Sequence, residues 1–211
     1  MRDHIGLFVL AAVILAAVPG PDVFYITARG MDQGRRAAFV SVASTASGGI
    51  VLTIAAALGL SAILESSALA FAIIKYLGAA YLIYLGIRRL FSRDDDNPSR
   101  VGPSRTSLRR VFAQGFVIAV LNPKTALFFV AFLPQFVNPT AGSIRLQLIV
   151  LGLILVGVGL CTDAMYAFAS GTFGNWLLKR RGFARGQRYA AGGIYLALGV
   201  VAAVTRPARS A

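Results

Sequence analysis

The sequence predicts an all-α integral membrane protein of six transmembrane helices, arranged as two inverted three-helix repeats. Three observations predict it: long stretches without charge, basic residues gathered in alternate connections, and two matched helix breaks 102 residues apart.

Of 211 residues, 57% are hydrophobic and 14% charged, and the mean hydropathy is +0.72. A soluble domain carries about a quarter charged residues. The stretches Ile5–Pro21, Ala37–Leu64, Thr125–Ile144, Leu146–Thr162 and Tyr189–Thr205 hold no Asp, Glu, Lys, Arg or His. A helix needs about 20 predominantly apolar residues to cross a hydrocarbon core. So many such stretches leave little room for an extramembrane domain. The expectation is a single transmembrane domain over 1–211, with one repeat at about 1–92, a polar linker at 93–110 and a second repeat at about 111–205.

The six helices are expected near Ile5–Ala28, Ala37–Ile63, Ala68–Ile87, Val111–Phe136, Leu146–Ser170 and Tyr189–Val204. Breakers set these limits: Gly30 and Gly34 follow the first, Asn97-Pro98 and Gly102-Pro103 follow the third, and Asn138-Pro139 follows the fourth. Within the linker, Asp94-Asp95-Asp96 reads as a solvated charge run. The stretch 171–188 is expected to include a short interfacial turn at Trp176, where an indole suits the headgroup region. Arg2 and the apolar run Ile5–Val18 resemble a signal peptide, but the run passes Pro19-Gly20-Pro21 without a small-residue cleavage site. It reads as a retained first helix.

The net charge of +13 invites a nucleic-acid reading, which position argues against. The connections after the first, third and fifth spans hold 15 of the 21 basic residues. They are Arg29, Arg35 and Arg36; then Arg88, Arg89, Arg93, Arg100, Arg105, Arg109 and Arg110; then Lys179, Arg180, Arg181, Arg185 and Arg188. The opposite side holds four, Arg2, Arg145, Arg206 and Arg209. Because Lys and Arg are retained on the cytoplasmic side, both termini are expected to be periplasmic in a bacterial inner membrane. The basic loops would attract anionic lipid headgroups.

The two halves share local patterns. Gly20-Pro21-Asp22 aligns with Asn122-Pro123-Lys124, and Gly78-Ala79-Ala80-Tyr81-Leu82 resembles Gly192-Gly193-Ile194-Tyr195-Leu196. Three spans per unit invert the second relative to the first, an architecture that transporters use for alternating access.

The same breaks carry the candidate chemistry. Pro19-Gly20-Pro21 interrupts the first span and Asn122-Pro123 the fourth. Proline removes a backbone donor, and in lipid the freed groups must be satisfied by protein, water or ligand. A charged residue follows each break, Asp22 and Lys124, and Asp163 stands in the fifth span. A charge at the bilayer centre costs at least ~2.5–3.5 kcal/mol, so such residues are paired or line a polar path. One reading is a solute and proton pathway through Pro19, Gly20, Pro21, Asp22, Asn122, Pro123, Lys124 and Asp163. The other is a static Asp22–Lys124 ion pair between ordinary proline kinks; Asp163 has no obvious local partner. Lys75 can snorkel to the interface. The seven tyrosines, Tyr25 and Tyr166 among them, read mostly as packing or interface anchors. Gly48, Gly49, Gly152, Gly157 and Gly159 read as close-packing positions.

Cys161 is the only cysteine and His4 the only histidine, so neither a disulfide nor a metal cluster is expected, and no cofactor is implied. An enzyme would need a convergent nucleophile and base, and none is evident. A membrane thiol–disulfide carrier needs a cysteine pair. A cation efflux carrier would want several acidic or His ligands where Asp22 and Asp163 alone stand. A nontransporting scaffold and a carrier of another small solute remain as alternatives. Small-residue faces are compatible with a homodimer.

An ordered set of motifs resembles the LysE/RhtB family of amino-acid exporters along nearly the whole chain. The set is Pro19-Gly20-Pro21, Gly30 with Gly34-Arg35, Lys75-Tyr76-Leu77-Gly78-Ala79-Ala80-Tyr81-Leu82 to Leu85-Gly86, Gln114-Gly115-Phe116, Leu121-Asn122-Pro123-Lys124 and Leu133-Pro134-Gln135-Phe136. Asp163 resembles the acidic position of that family's fifth helix. Val18 stands where a hydroxylic residue would precede the first motif, and Tyr166 comes early after Asp163. The resemblance implies a six-helix exporter of small amino-acid-like solutes driven by exchange with protons. The solute would lie between the first and fourth spans, its carboxylate at Lys124 and its ammonium at Asp22 or Asp163.

Overall fold

Proline and glycine set where this chain's helices stop, and the long apolar runs between them set how far they extend. The computed structural model describes residues 2–66, 106–138 and 140–178, with scattered positions between 69 and 91 and between 189 and 204. Most of the third and sixth predicted spans, with the Gly78 and Gly192 patterns, lies outside the described residues. So do Lys75, the acidic run at 94–96 and the basic cluster 179–188. Positions described within those two spans, such as Leu69, Tyr84, Gly193 and Val200, are helical.

Helix α1 (Arg2–Ala17) and α2 (Pro21–Gln33) meet at a 49° bend. Helix α3 (Arg35–Ser66) follows, then α4 (Leu108–Val120) and the short α5 (Pro123–Leu127). The chain then widens into a π-helical turn at Phe128–Phe132 and tightens into a 3-10 turn at Leu133–Phe136. Helix α6 (Ile144–Leu178) is the last continuous element described. The described elements are all helices, without strands. Three stretches among them are long and apolar enough to cross a membrane: Arg35–Leu60, Leu108–Phe136 and Ile144–Ser170. The bent pair Ile5–Ala17 and Pro21–Gln33 makes a fourth if it counts as one span. The six-span inverted repeat extends beyond what these residues contain.

Two boundaries differ from the sequence reading. The first span does not end near Ala28. Gly30 is accommodated inside α2, and the helix stops at Gly34, whose φ of 81° is open to glycine without strain. Arg29 therefore lies within a helix, not in the connection. The interfacial turn expected at Trp176 is also replaced: α6 continues without a break through Leu178, since glycines 171 and 174 come without a proline to end it.

Helix α3 packs along both α4 and α6, and α2 lies against α3 and α6. Small residues permit this. A Cβ on Gly48 would stand 2.6 Å from the Ala119 methyl, and one on Gly49 would stand 2.9 Å from Val156 Cγ2. Gly152 sits as closely against Thr53. Among the described residues, a Cβ on Gly157 or Gly159 meets nothing within 4 Å. A phenylalanine cluster binds α1 to the segment after α5: the Phe8 ring lies 6.3 Å from Phe128 and 5.1 Å from Phe136. Outward, Leu7, Leu10, Ile54, Leu58, Leu153 and Met165 are exposed. An apolar surface of that extent suits lipid rather than water.

Candidate functional site

The break between α1 and α2 orphans particular backbone atoms. In a continuous helix the carbonyl of Ala17 would accept from residue 21 and that of Val18 from residue 22. Pro21 has no N–H to give, and the bend removes the second bond. Two distant side chains replace them. Tyr166 Oη, from α6, donates to the Ala17 carbonyl at 3.1 Å, and Lys124 Nζ donates to the Val18 carbonyl. A cation at the C-terminal end of α1 also suits the helix dipole.

Beyond the bend, Gly20 is the N-cap of α2, Pro21 its first residue and Asp22 its second. Asp22 Oδ1 accepts from the Val23 amide at 3.0 Å, placing negative charge at a helix N-terminus. The second break repeats this grammar. Asn122 is the N-cap of α5, Pro123 its first residue and Lys124 its second. Asn122 Oδ1 accepts from the Lys124 amide at 3.0 Å, while its buried Nδ2 has no partner among the described residues. Pro19 and Gly20 are buried, whereas Pro21 and Pro123 are exposed. The prolines act on the backbone instead of lining the site.

These pieces surround a pocket of about 660 Å³, counting the space at its mouth. Helix α1 contributes Leu15 and Ala16, and α2 contributes Asp22 and Val23. Helix α3 supplies Thr45, Ala46 and Gly49, and α4 supplies Ala119. Lys124, Thr125 and Phe129 come from the second break and the π turn, and α6 gives Leu155, Val156, Gly159, Leu160, Thr162 and Asp163. Three charged groups thus converge on a wall that is otherwise mainly apolar.

The static Asp22–Lys124 pair is not formed: no ion pair within 4 Å joins Lys124 to either acid among the described residues. Lys124 is only 5% exposed and stands in the electrostatic field of both Asp22 and Asp163. A Cβ on Gly20 would fall 2.7 Å from Asp22 Oδ1 and 3.5 Å from Lys124 Nζ, so glycine keeps the space between them clear. Asp163, 8% exposed, does have a partner that the sequence reading lacked: Thr45 Oγ1 lies 3.0 Å from its Oδ2.

Two further features were not anticipated. Thr45 comes from α3, a helix to which no chemistry was assigned. Arg29, 3% exposed, ties α2 to α4: its Nη2 donates to Gln114 Oε1 at 2.8 Å and its Nη1 to Thr106 Oγ1 at 3.3 Å. Its guanidinium lies 5.4 Å from the Tyr25 ring, and Tyr25 Oη donates to the Val111 carbonyl at 2.8 Å. The signal for Arg29 was available: its i,i+3 partner Asp32 and the glycine pair at 30 and 34 bracket one more helical turn.

A family model described as LysE type translocator matches residues 13–206. The chain is 36% identical over 156 residues to the membrane protein YrhP of Bacillus subtilis, covering 70% of this chain and 74% of that one. It is 29% identical over 197 residues to a membrane protein of Pseudomonas aeruginosa, covering 92% and 91%. With the leucine efflux protein of Klebsiella pneumoniae it shares 28% over 178 residues, 82% of each. No solved structure matches the chain.

Proposed function

Because the chain belongs to the LysE type translocator family, we propose that it exports neutral amino acids with apolar side chains from the cytoplasm by proton antiport. As a transporter of that family it is not an enzyme. The observation that carries the substrate reading is the pocket, where two carboxylates and one ammonium face an aliphatic and aromatic wall. A zwitterion satisfies both signs at once: its ammonium meets Asp22 or Asp163, and its carboxylate meets Lys124 and the amide donors of a broken helix. The side chain then lies against Leu15, Val23, Phe129, Leu155 and Leu160. The apolar wall favours an apolar side chain on the solute over a second charged group. The leucine efflux protein of Klebsiella pneumoniae is a relative along most of both chains, which supports the same class.

Proton coupling follows from charge. Asp163 is buried where an ionised carboxylate is costly, so binding a proton and binding an ammonium are alternative ways to neutralise it. The matched caps at Gly20 and Asn122 support an inverted repeat, with the site at its centre and six spans in all. The basic connections support termini in the periplasm. The test is transport into inverted vesicles with an imposed pH gradient, across labelled leucine, valine, threonine, lysine and glutamate. Leucine and valine should accumulate, while lysine and glutamate should not. Accumulation of lysine in preference to leucine would refute the substrate class.

A further inference from the structure

The hydroxyl of Thr45 stands 3.0 Å from the Val42 carbonyl and 3.0 Å from Asp163 Oδ2. A threonine hydroxyl has one proton to donate and two lone pairs to accept with. It cannot donate to both neighbours at once, yet it can donate to the Val42 carbonyl while accepting from a protonated Asp163. We propose that Thr45 is the positioning residue that carries Asp163 through both of its protonation states, deepening the proton-antiport reading on which the proposal rests.

With Asp163 ionised, Thr45 Oγ1–H donates to Oδ2. The Val42 carbonyl loses nothing, because it is an acceptor inside the continuous ladder of α3. When Asp163 takes a proton from water in the pocket, the new O–H donates to Thr45 Oγ1. The threonine's own proton then rotates to the Val42 carbonyl. Thr45 gives up no proton; the proton bound by Asp163 returns to water when the carboxylate is formed again. One hydrogen bond joins Thr45 and Asp163 in each state, so neither leaves a buried polar atom orphaned. Such an orphan has given up water without gaining a partner, which would bias the cycle toward one state. A β-branched residue fits the task, since threonine in a helix can bond the carbonyl three or four residues back.

Among the described residues, the other charged and titratable groups facing Asp163 act without a hydrogen bond to it. Asp22 on α2 and Lys124 on α5 reach it electrostatically, and Tyr166, on α6 itself, holds Ala17 instead. Among the described residues, Thr45 is the only side chain bonded to Asp163.

The test measures the pH dependence of gradient-driven transport of labelled leucine in proteoliposomes for wild type, Thr45→Val and Thr45→Ser. Valine keeps the branched shape and removes the hydroxyl; serine retains it. In Thr45→Val each state loses one hydrogen bond, and the ionised carboxylate loses the stronger, charge-assisted one, so the profile should move to higher pH, while Thr45→Ser should follow wild type. A Thr45→Val profile with the wild-type midpoint, whatever its amplitude, would overturn the proposal. Should the valine variant fail to reach the membrane, Thr45→Ala removes the same hydroxyl and is read in the same way. Wild-type leucine transport that ignores the pH gradient would instead overturn the antiport reading, and Thr45's role with it.

Discussion

Lys124 Nζ donates to the backbone carbonyl of Val18, 106 residues away. One side chain thus completes the broken end of α1 and presents its charge to the pocket. Lys124→Met keeps the length and removes both functions. It leaves a buried carbonyl without a donor, at about 1–3 kcal/mol, and two acids without a nearby cation. We expect transport to fall below detection and the thermal midpoint of the detergent-purified protein to drop. An unchanged midpoint would mean that another donor serves Val18.

Gly20 stands between Asp22 and Lys124. Its φ of −112° is open to any residue, so Gly20→Ala carries no backbone strain. Its Cβ would press on the Asp22 carboxylate and the Lys124 stem. The expected outcome is normal membrane abundance with leucine transport reduced about tenfold, equivalent to about 1.4 kcal/mol. Wild-type transport by Gly20→Ala would show that the spacing of the two charges is not critical.

The buried Arg29 network has a structural signature. Gln114→Ala removes the acceptor at 2.8 Å and leaves a guanidinium already lacking a partner at Nε among the described residues. Hydrogen bonds to charged groups contribute about 1.5–3 kcal/mol, and neutral ones about 1 kcal/mol. Thermal unfolding should therefore rank Gln114→Ala as more destabilised than Tyr25→Phe, which loses the hydroxyl's contacts with Val111 and Arg29 but keeps the ring against the guanidinium. The reverse order would assign the α2–α4 contact chiefly to the tyrosine.

Orientation rests on 15 basic residues against four. Moving Arg29 into α2 leaves 14 in the three connections and their flanks, so the bias survives the correction. Reporter fusions after Arg36, within 93–110 and after Arg185 should all behave as cytoplasmic. A periplasmic signal from the middle linker would invert the topology.

Much of the site was legible because its signals are local. Pro21 and Pro123 announce lost donors, and Asp22, Lys124 and Asp163 are conspicuous in apolar surroundings. What the prolines cost, and who compensates, was not legible. The Tyr166–Ala17 and Lys124–Val18 bonds join residues more than a hundred positions apart. Thr45 was missed for a related reason: a hydroxyl in an apolar helix usually satisfies itself on the preceding turn, and nothing in its neighbourhood points to Asp163. The π turn at Phe128–Phe132 has no sequence mark, yet it starts three residues after Thr125 and brings Phe129 to the pocket wall. Gly30 misled because a glycine ends a helix only where the backbone turns, and here that position is Gly34.

The central claim is that amino-acid export is coupled to a proton carried on Asp163. The most direct measurement adds leucine to proteoliposomes holding a pH-sensitive dye, with no imposed gradient, and follows internal pH. Leucine should evoke a pH change in wild type and almost none with Asp163→Asn at equal protein content, because the amide keeps the shape without the titratable charge. Leucine moving across wild-type membranes without any pH change, or an undiminished change with Asp163→Asn, would contradict the account.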